Sequence, residues 1–349
     1  MVAKRMLALT AALVLAAGGG LVFGVEKVIE KSFPASPGAE LILKSDRGSI
    51  RVDTGAPDKV DVRVTLEARG QDKAEKLFRE FKLDFQPLAG GLKITGEGPE
   101  QAWKFWSWGS DNLNVRYEIT VPKEYRVNLS TGGGSIAVSD LDGEVVCDTS
   151  GGSIKLGWID GRVFARTSGG SITVEGGTAD VDVETSGGGI RIGETGGKVR
   201  AHTSGGSIRL GACGGPVDAD TSGGSITVEE VLGEVSATTS GGSVKATITR
   251  QPKGNCRLET SGGSVTVYLA PSVRMDVSGH SSGGGVRVNV PFEGDIDDDA
   301  IEGKINGGGP KLMLSTSAGS VNVLKYVAES GAEAAPKSGT KSKPKAEKN

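Results

Sequence analysis

Apolar residues recur along this chain at two superposed spacings, every second residue within short runs and every eighteenth residue between runs. From Thr131 to Val244 the eighteen-residue period holds without insertion or deletion. It is marked by a Thr-Ser-Gly-Gly-Ser-Ile block or close variant starting at Thr149, Thr167, Thr185, Thr203, Thr221 and Thr239, with a looser copy at Thr131. Copies at Thr260 and Ser281 follow after twenty-one residues each, and a distant one spans Thr316 to Val321. A fixed short period marks a solenoid, in which each repeat needs neighbours to cover its apolar surface.

Aligned on the period, the repeats resolve into columns. One runs Ile136, Ile154, Ile172, Ile190, Ile208, Ile226 and Val244, and a second lies two residues on, at Val138, Leu156, Val174, Ile192, Leu210, Val228 and Ala246. Another pair runs Val145, Val163, Val181, Val199, Val217, Val235 and, two residues on, Cys147, Ala165, Val183, Ala201, Ala219, Ala237. Period two in both pairs predicts two short strands per repeat. Leu141, Ile159, Cys213 and Val231 fill the bend between them, and Gly143, Gly161, Gly197, Gly215 and Gly233 follow at a corner expected to need unusual backbone angles. Eighteen residues span at most about 59 Å, one coil of a narrow parallel β-helix, and leave no room for a crossover helix. The expected fold is all-β, a single-stranded parallel β-helix of 18-residue coils with a short capping helix.

Outward residues of the second strand alternate in sign from coil to coil: Glu144 and Asp148, then Arg162 and Arg166, then Asp180, Asp182 and Glu184, then Lys198, Arg200 and His202, then Asp218 and Asp220. The columns Asp148, Arg166, Glu184 and Asp182, Arg200, Asp218 are expected to form ladders of opposite charge that fix register. Before the regular repeats, Leu41, Leu43, Ser45, Gly48, Ile50 and Val52 reproduce the same pattern, Val60, Val62 and Val64 add a strand, and strands are expected at Leu92 to Ile94 and Val115 to Val121. Residues 72–82 place Ala74, Leu77, Phe78 and Phe81 on one helical face, expected to lie over the open end and block its ladder edge. After Pro291 the pattern lapses and resumes at Leu312, Leu314 and Val321 as a closing coil.

Composition changes this picture little. Fifty-six glycines and 5% aromatics favour a core of small aliphatic side chains, and a net charge of −3 leaves no electrostatic footprint for nucleic acid. Three cysteines, Cys147, Cys213 and Cys256, occupy inward columns and are expected to be free thiols; His202 and His280 are isolated outward positions. The cluster Asp295, Asp297, Asp298, Asp299 lacks the spacing and glycine of a calcium loop. No catalytic, metal or cofactor set is assigned. Lys4 and Arg5 precede an apolar run, so residues 1–24 read as a signal peptide or membrane anchor. Residues 25–125 read as irregular N-terminal coils and cap, 126–327 as the regular solenoid, and 328–349 as a disordered tail.

The candidate binding residues are Trp103, Phe105, Trp106 and Trp108, since three of the four tryptophans fall within six residues. Such rings suit a cell-wall glycan, another envelope component or a membrane surface, or else plug the cap. The secretory N-terminus, the Val121-Pro-Lys strand end, the Thr-Ser-Gly-Gly-Ser-Ile coils and the closing Thr316-Ser-Ala-Gly-Ser-Val together resemble the bacterial putative-adhesin family of β-repeat proteins, over residues 30–326. The resemblance implies a right-handed β-solenoid exported to the periplasm, envelope or cell surface, and carries over no catalytic residues. A non-enzymatic binding scaffold is therefore expected. The alternative is a polysaccharide-cleaving β-helix enzyme, and ice binding through the threonine column is a third reading.

Overall fold

The computed structural model describes residues 24–98 and 113–327, most of them in strands that form two long sheets. Each regular coil gives one strand to each sheet. Ile154–Ile159 in the first sheet and Val163–Thr167 in the second belong to one coil, and Ile172–Gly177 and Val181–Thr185 to the next. Strands pair in parallel with a strict eighteen-residue offset, as in Val145↔Val163↔Val181↔Val199. The aliphatic columns read from sequence are buried between the sheets from Leu41 to Val323.

The threonine that opens each repeat is also buried. Strand alternation turns Val163, Ala165 and Thr167 inward and leaves Phe164 and Arg166 outside. Each Thr hydroxyl donates to the carbonyl of a corner glycine in the adjacent coil: Thr149 to Gly134, Thr167 to Gly152, Thr185 to Gly170, Thr203 to Gly188, Thr221 to Gly206 and Thr239 to Gly224, at 2.7–2.8 Å. The same oxygen accepts a long bond from a glycine amide of its own corner, as from Gly188 to Thr185 at 3.4 Å. Each residue in this column thus satisfies a backbone acceptor that stacking has removed from water. Burial of the column also leaves no flat exposed threonine face of the kind ice binding needs.

The corner glycines depart from expectation in their cause. Among the described residues left-handed backbone occurs at Asn306 and at Gly38, Gly48, Gly70, Gly90, Gly294, Gly307 and Gly308, and at none of Gly143, Gly161, Gly197, Gly215 or Gly233. These corners need glycine because coils stack too closely for a side chain. A Cβ on Gly215 would come 2.5 Å from the Gly197 carbonyl oxygen, and one on Gly161 would meet the Gly143 carbonyl.

At both ends the stacking order departs from the chain order. The first coil, Glu40–Ser45 with Ser49–Thr54, lies between the coil of Leu92–Glu97 and Asn114–Val121 and the coil of Arg126–Thr131 and Ile136–Val138. The last coil, Lys311–Thr316 with Val321–Lys325, is likewise inserted between Cys256–Thr260 with Val265–Leu269 and Met275–Ser281 with Val286–Asn289. It is therefore an interior coil, not the closing one. Hydroxyl bonds follow the spatial order: Ser45 donates to Gly96, Thr131 to Gly48, Thr316 to Gly263 and Ser281 to Gly319.

Antiparallel strands finish the stack. Gly24–Pro34 and Lys59–Arg69 extend the first sheet and Lys82–Pro87 the second at one end; the hairpin Phe292–Ile296/Ala300–Ile305 extends the second sheet at the other. The helix is present at Gln71–Glu80 and packs on Lys59–Arg69 and on Gly24–Pro34, one of the two ladder edges at this end. Those edges are the strands Gly24–Pro34 and Lys82–Pro87, joined across the sheets by Phe33 stacked on Phe85 at 5.9 Å with Lys31 over the Phe85 ring.

Replacing Thr185 by Val leaves the Gly170 carbonyl buried without its donor and is expected to destabilise the protein by about 1–3 kcal/mol. Thr173→Val, on the outward side of the neighbouring strand, should change stability by less than about 0.5 kcal/mol. Denaturant melts of the two variants compare the inward and outward positions directly, and equal stability would contradict the ladder. Ending the chain at Pro310 removes an interior coil, so amide exchange should rise throughout Met275–Ile305; protection unchanged there would show that the inserted coil is dispensable.

Candidate functional site

The inward positions are occupied by the core, so chemistry directed at a ligand falls to the outer faces, corners and ends. On the outer face of the second sheet the expected charge columns are in register: Asp148↔Arg166↔Glu184 and Asp182↔Arg200↔Asp218. Contact is sparser than the register allows. Along these two columns only Arg166 and Glu184 approach within ion-pair distance, at 3.5 Å, both well exposed. An exposed pair of this kind contributes about 0–1 kcal/mol, so the alternation selects register more than it adds stability.

At the N-terminal end, the outer face of the first sheet holds a cleft of about 520 Å³ lined by Glu30, Lys31, Asp53, Asp61, Arg63 and Glu118 among others. Its charges answer one another. Arg63 lies 3.6 Å from Glu30 and 3.9 Å from Glu118, Arg51 holds Asp53, and Lys59 holds Asp61 at 2.7 Å. Burial would raise the Asp61 carboxyl, but hydrogen bonds from Lys59 and Ser32 bring it below its ordinary range. At the opposite end Asp297, Asp298 and Asp299 lie between the strands of the capping hairpin. Among the described residues no three His, Cys, Asp or Glu side chains are gathered in a metal-binding group.

The aromatic candidates Trp103, Phe105, Trp106 and Trp108 lie outside the described residues, but the roots of their segment are defined. Residues 99–112 connect Leu92–Glu97 in the second sheet to Asn114–Val121 in the first. Regular coils make this connection with Thr-Ser-Gly-Gly-Ser, and in sequence the four candidates fall within the longer connection of this near-terminal coil. The Gly98 amide at its root donates to the Asp46 carboxylate at 2.7 Å. Two aromatic residues that the periodic pattern did not single out, Trp158 and Phe164, stand exposed on the body.

Cys147, Cys213 and Cys256 are free and buried in their inward columns. Burial raises all three thiols, Cys213 to about 11. Tyr117 and Tyr125, buried near the N-terminal end, are raised by burial to about 12. Among the described residues no helix is long and apolar enough to cross a membrane.

A family model described as Toastrack DUF4097 matches residues 39–324. Among solved structures, the chain is similar to a putative cell adhesion protein from Clostridium sporogenes, with 13% identity, 86% of this chain and 100% of that one covered, and a TM-score of 0.19. It is also similar to a putative adhesin from Bacteroides fragilis, with 12% identity, 85% and 97% covered, and a TM-score of 0.33. A third is a putative lipid binding protein from Parabacteroides distasonis, with 16% identity, 85% and 96% covered, and a TM-score of 0.26. No curated protein matches the chain.

The raised thiols set an alkaline stability limit. Below about pH 8 the cysteines are largely protonated in both states and contribute little to pH dependence. Above it the unfolded chain loses thiol protons while the folded core, with Cys213 near 11, retains them, so stability falls as pH rises. Denaturant melts at pH 8 and pH 10 should differ by about 1 kcal/mol per thiol. Replacing all three cysteines by alanine should flatten that slope; an unchanged slope would place its origin elsewhere.

Proposed function

We propose that this chain, which belongs to the Toastrack DUF4097 family, is a non-enzymatic scaffold of the cell envelope or surface that binds through its corners, faces and ends. The winding is that of a single-stranded, right-handed β-helix. The observation that carries the reading is the insertion at residues 99–112. Where the regular coils turn from second sheet to first through a short glycine corner, this one inserts a segment containing Trp103, Phe105, Trp106 and Trp108. The inward columns of neighbouring coils are already filled by side chains such as Leu41, Ile50 and Tyr117.

The basic and apolar start of the chain supports export, by cleavage or by anchoring of residues 1–24, and with it a scaffold of the periplasm, envelope or surface layer. Aromatic rings beside polar groups suit sugar stacking or the membrane interface. The partner is an envelope component, with cell-wall glycan the first to test and a membrane surface the second. The balanced charge of the body argues against nucleic acid.

Replacing Trp106 and Trp108 together by alanine should weaken binding to isolated cell-wall glycan or to lipid vesicles by about tenfold or more, with little loss of melting temperature. A large fall in melting temperature with binding unaffected would show that the rings plug the end of the stack and that the ligand site lies elsewhere.

A further inference from the structure

Among the described residues, Trp158 and Phe164 are the aromatic side chains left more than a third exposed, at 38% and 41%. They lie on one coil, either side of the corner at Asp160 and Gly161. Single exposed apolar residues are ordinary, but two rings on one coil concentrate apolar surface on an otherwise polar body. Five residues lie between them, so at most about 20 Å of chain separates the two.

Trp158 is held in place before any ligand arrives. Its backbone amide donates to the Asp140 carboxylate at 2.8 Å and its indole Nε1 to the Asp160 carboxylate at 3.1 Å. Its ring lies against Gly176 of the next coil, where a Cβ would come 2.6 Å from a ring carbon. A ring fixed in this way loses little freedom on binding.

Phe164 lines a shallow cleft of about 260 Å³ with Arg162, Lys198, Arg200, Asp180 and Asp182. Asp180 is engaged, accepting the Lys198 amide at 2.8 Å. Among the described residues, Arg162, Lys198, Arg200 and Asp182 have no side-chain partner at ion-pair distance, whereas Arg166 on the same strand is paired with Glu184. The cleft therefore offers an open aromatic face, three cations without ion-pair partners, and two carboxylates, of which Asp180 is already bonded to an amide and Asp182 is free to accept. Its volume falls below the usual range for a drug-sized ligand, about 300–1,000 Å³, and suits one ring of a longer chain.

We infer that the coil carrying Trp158 and Phe164 is a binding site for an acidic saccharide chain. One sugar ring stacks on Phe164, its carboxylate meets Arg162 and Arg200, and its hydroxyls donate to Asp182. Trp158 provides a second platform around the corner. A single-stranded nucleic acid also combines stacking with negative charge. It is disfavoured because acidic rows, Glu144 and Asp148 on one side and Asp180, Asp182 and Glu184 on the other, flank this coil and would oppose a phosphate at every residue. A saccharide with sparser charge and many hydroxyls fits such a mixed surface.

The inference rests on the reading of the protein as a binding scaffold but uses none of the tryptophan insertion. The test is calorimetric titration of the full chain with a galacturonic acid tetramer, a neutral glucose tetramer and a single-stranded oligonucleotide. The acidic tetramer should bind about tenfold or more tightly than the neutral one and weaken at high salt. Phe164→Ala and Arg200→Gln should each lower that affinity about tenfold at unchanged melting temperature, while Arg166→Gln leaves it unchanged. Trp158→Ala should weaken the tetramer but not monomeric galacturonate. Absence of binding, equal binding of the neutral tetramer, preference for the oligonucleotide, or full affinity in Phe164→Ala would each overturn the assignment. Since Trp106→Ala and Trp108→Ala leave this cleft intact, envelope binding and saccharide binding fail or succeed separately.

Discussion

The structure depends on one repeated bond, in which a buried hydroxyl donates to the carbonyl of a glycine in the neighbouring coil. It runs from Thr131 on Gly48, through the regular threonines, to Thr316 on Gly263 and Ser281 on Gly319. An acceptor buried without a donor costs about 1–3 kcal/mol, so each member of the column answers a penalty that would otherwise recur at every corner. The bond also constrains the other residues. Carbonyl and hydroxyl meet only if corners stack without side chains between them, which is why Gly152, Gly170, Gly188 and Gly206 each lie where a Cβ would meet the previous coil's backbone. Aliphatic columns stabilise the interior without direction; the hydroxyl column and the glycine corners give it register.

The same bond explains how the ends tolerate a stacking order different from the chain order. Any coil that presents a hydroxyl on one side and a corner carbonyl on the other can sit beside any other. The chain can therefore place coil 311–325 between coils 256–269 and 275–289 without breaking the column. An inserted coil is paired on both sides, so neither Glu40–Ser45 near the beginning nor Val321–Lys325 near the end of the described chain is left as an edge. At the N-terminal end, and in the second sheet at the other end, the edges fall to antiparallel strands that differ in direction and register from the repeat, while the first sheet ends on the short parallel strand Val286–Asn289.

Much of this was legible in the sequence, for reasons particular residues show. The period of two and the period of eighteen are independent signals, and both assign Val163, Ala165, Ile172 and Val174 to the interior, where they are buried. Continuing the alternation from Val163 two residues beyond Ala165 also places Thr167 inside, but the pattern does not show which backbone acceptor in the neighbouring coil its hydroxyl meets. The glycines were located correctly but misattributed, because local sequence shows only its own backbone and the constraint at Gly161 comes from Gly143 one coil away. Stacking order at the ends was not legible. Coils that share one edge pattern carry no label for their neighbour. Nor did the pattern single out Trp158 and Phe164, since periodicity sorts residues into inward and outward without marking which outward ring is held open by its surroundings.

That sorting bears on where function can reside. Inward positions are restricted to side chains that fill a narrow stack, the corner glycines to no side chain, and the threonine column to a hydroxyl. Only outward positions and corner insertions are free to differ from coil to coil. In a repeat protein whose local choices otherwise agree, places that break the pattern without serving the core are the ones selected for another purpose. Two stand out here: the insertion at residues 99–112, which replaces a glycine corner with tryptophans, and coil 154–167, where rings replace the small or charged residues of neighbouring coils. Trp158 and Phe164 add exposed aromatic surface on either side of one corner. Because coils hold one another in fixed register, a group on one corner is positioned relative to groups several coils away without a dedicated support of its own. The solenoid's contribution to binding is thus geometric, a rigid spacing of about 4.8 Å per coil on which a few exceptional residues can be set.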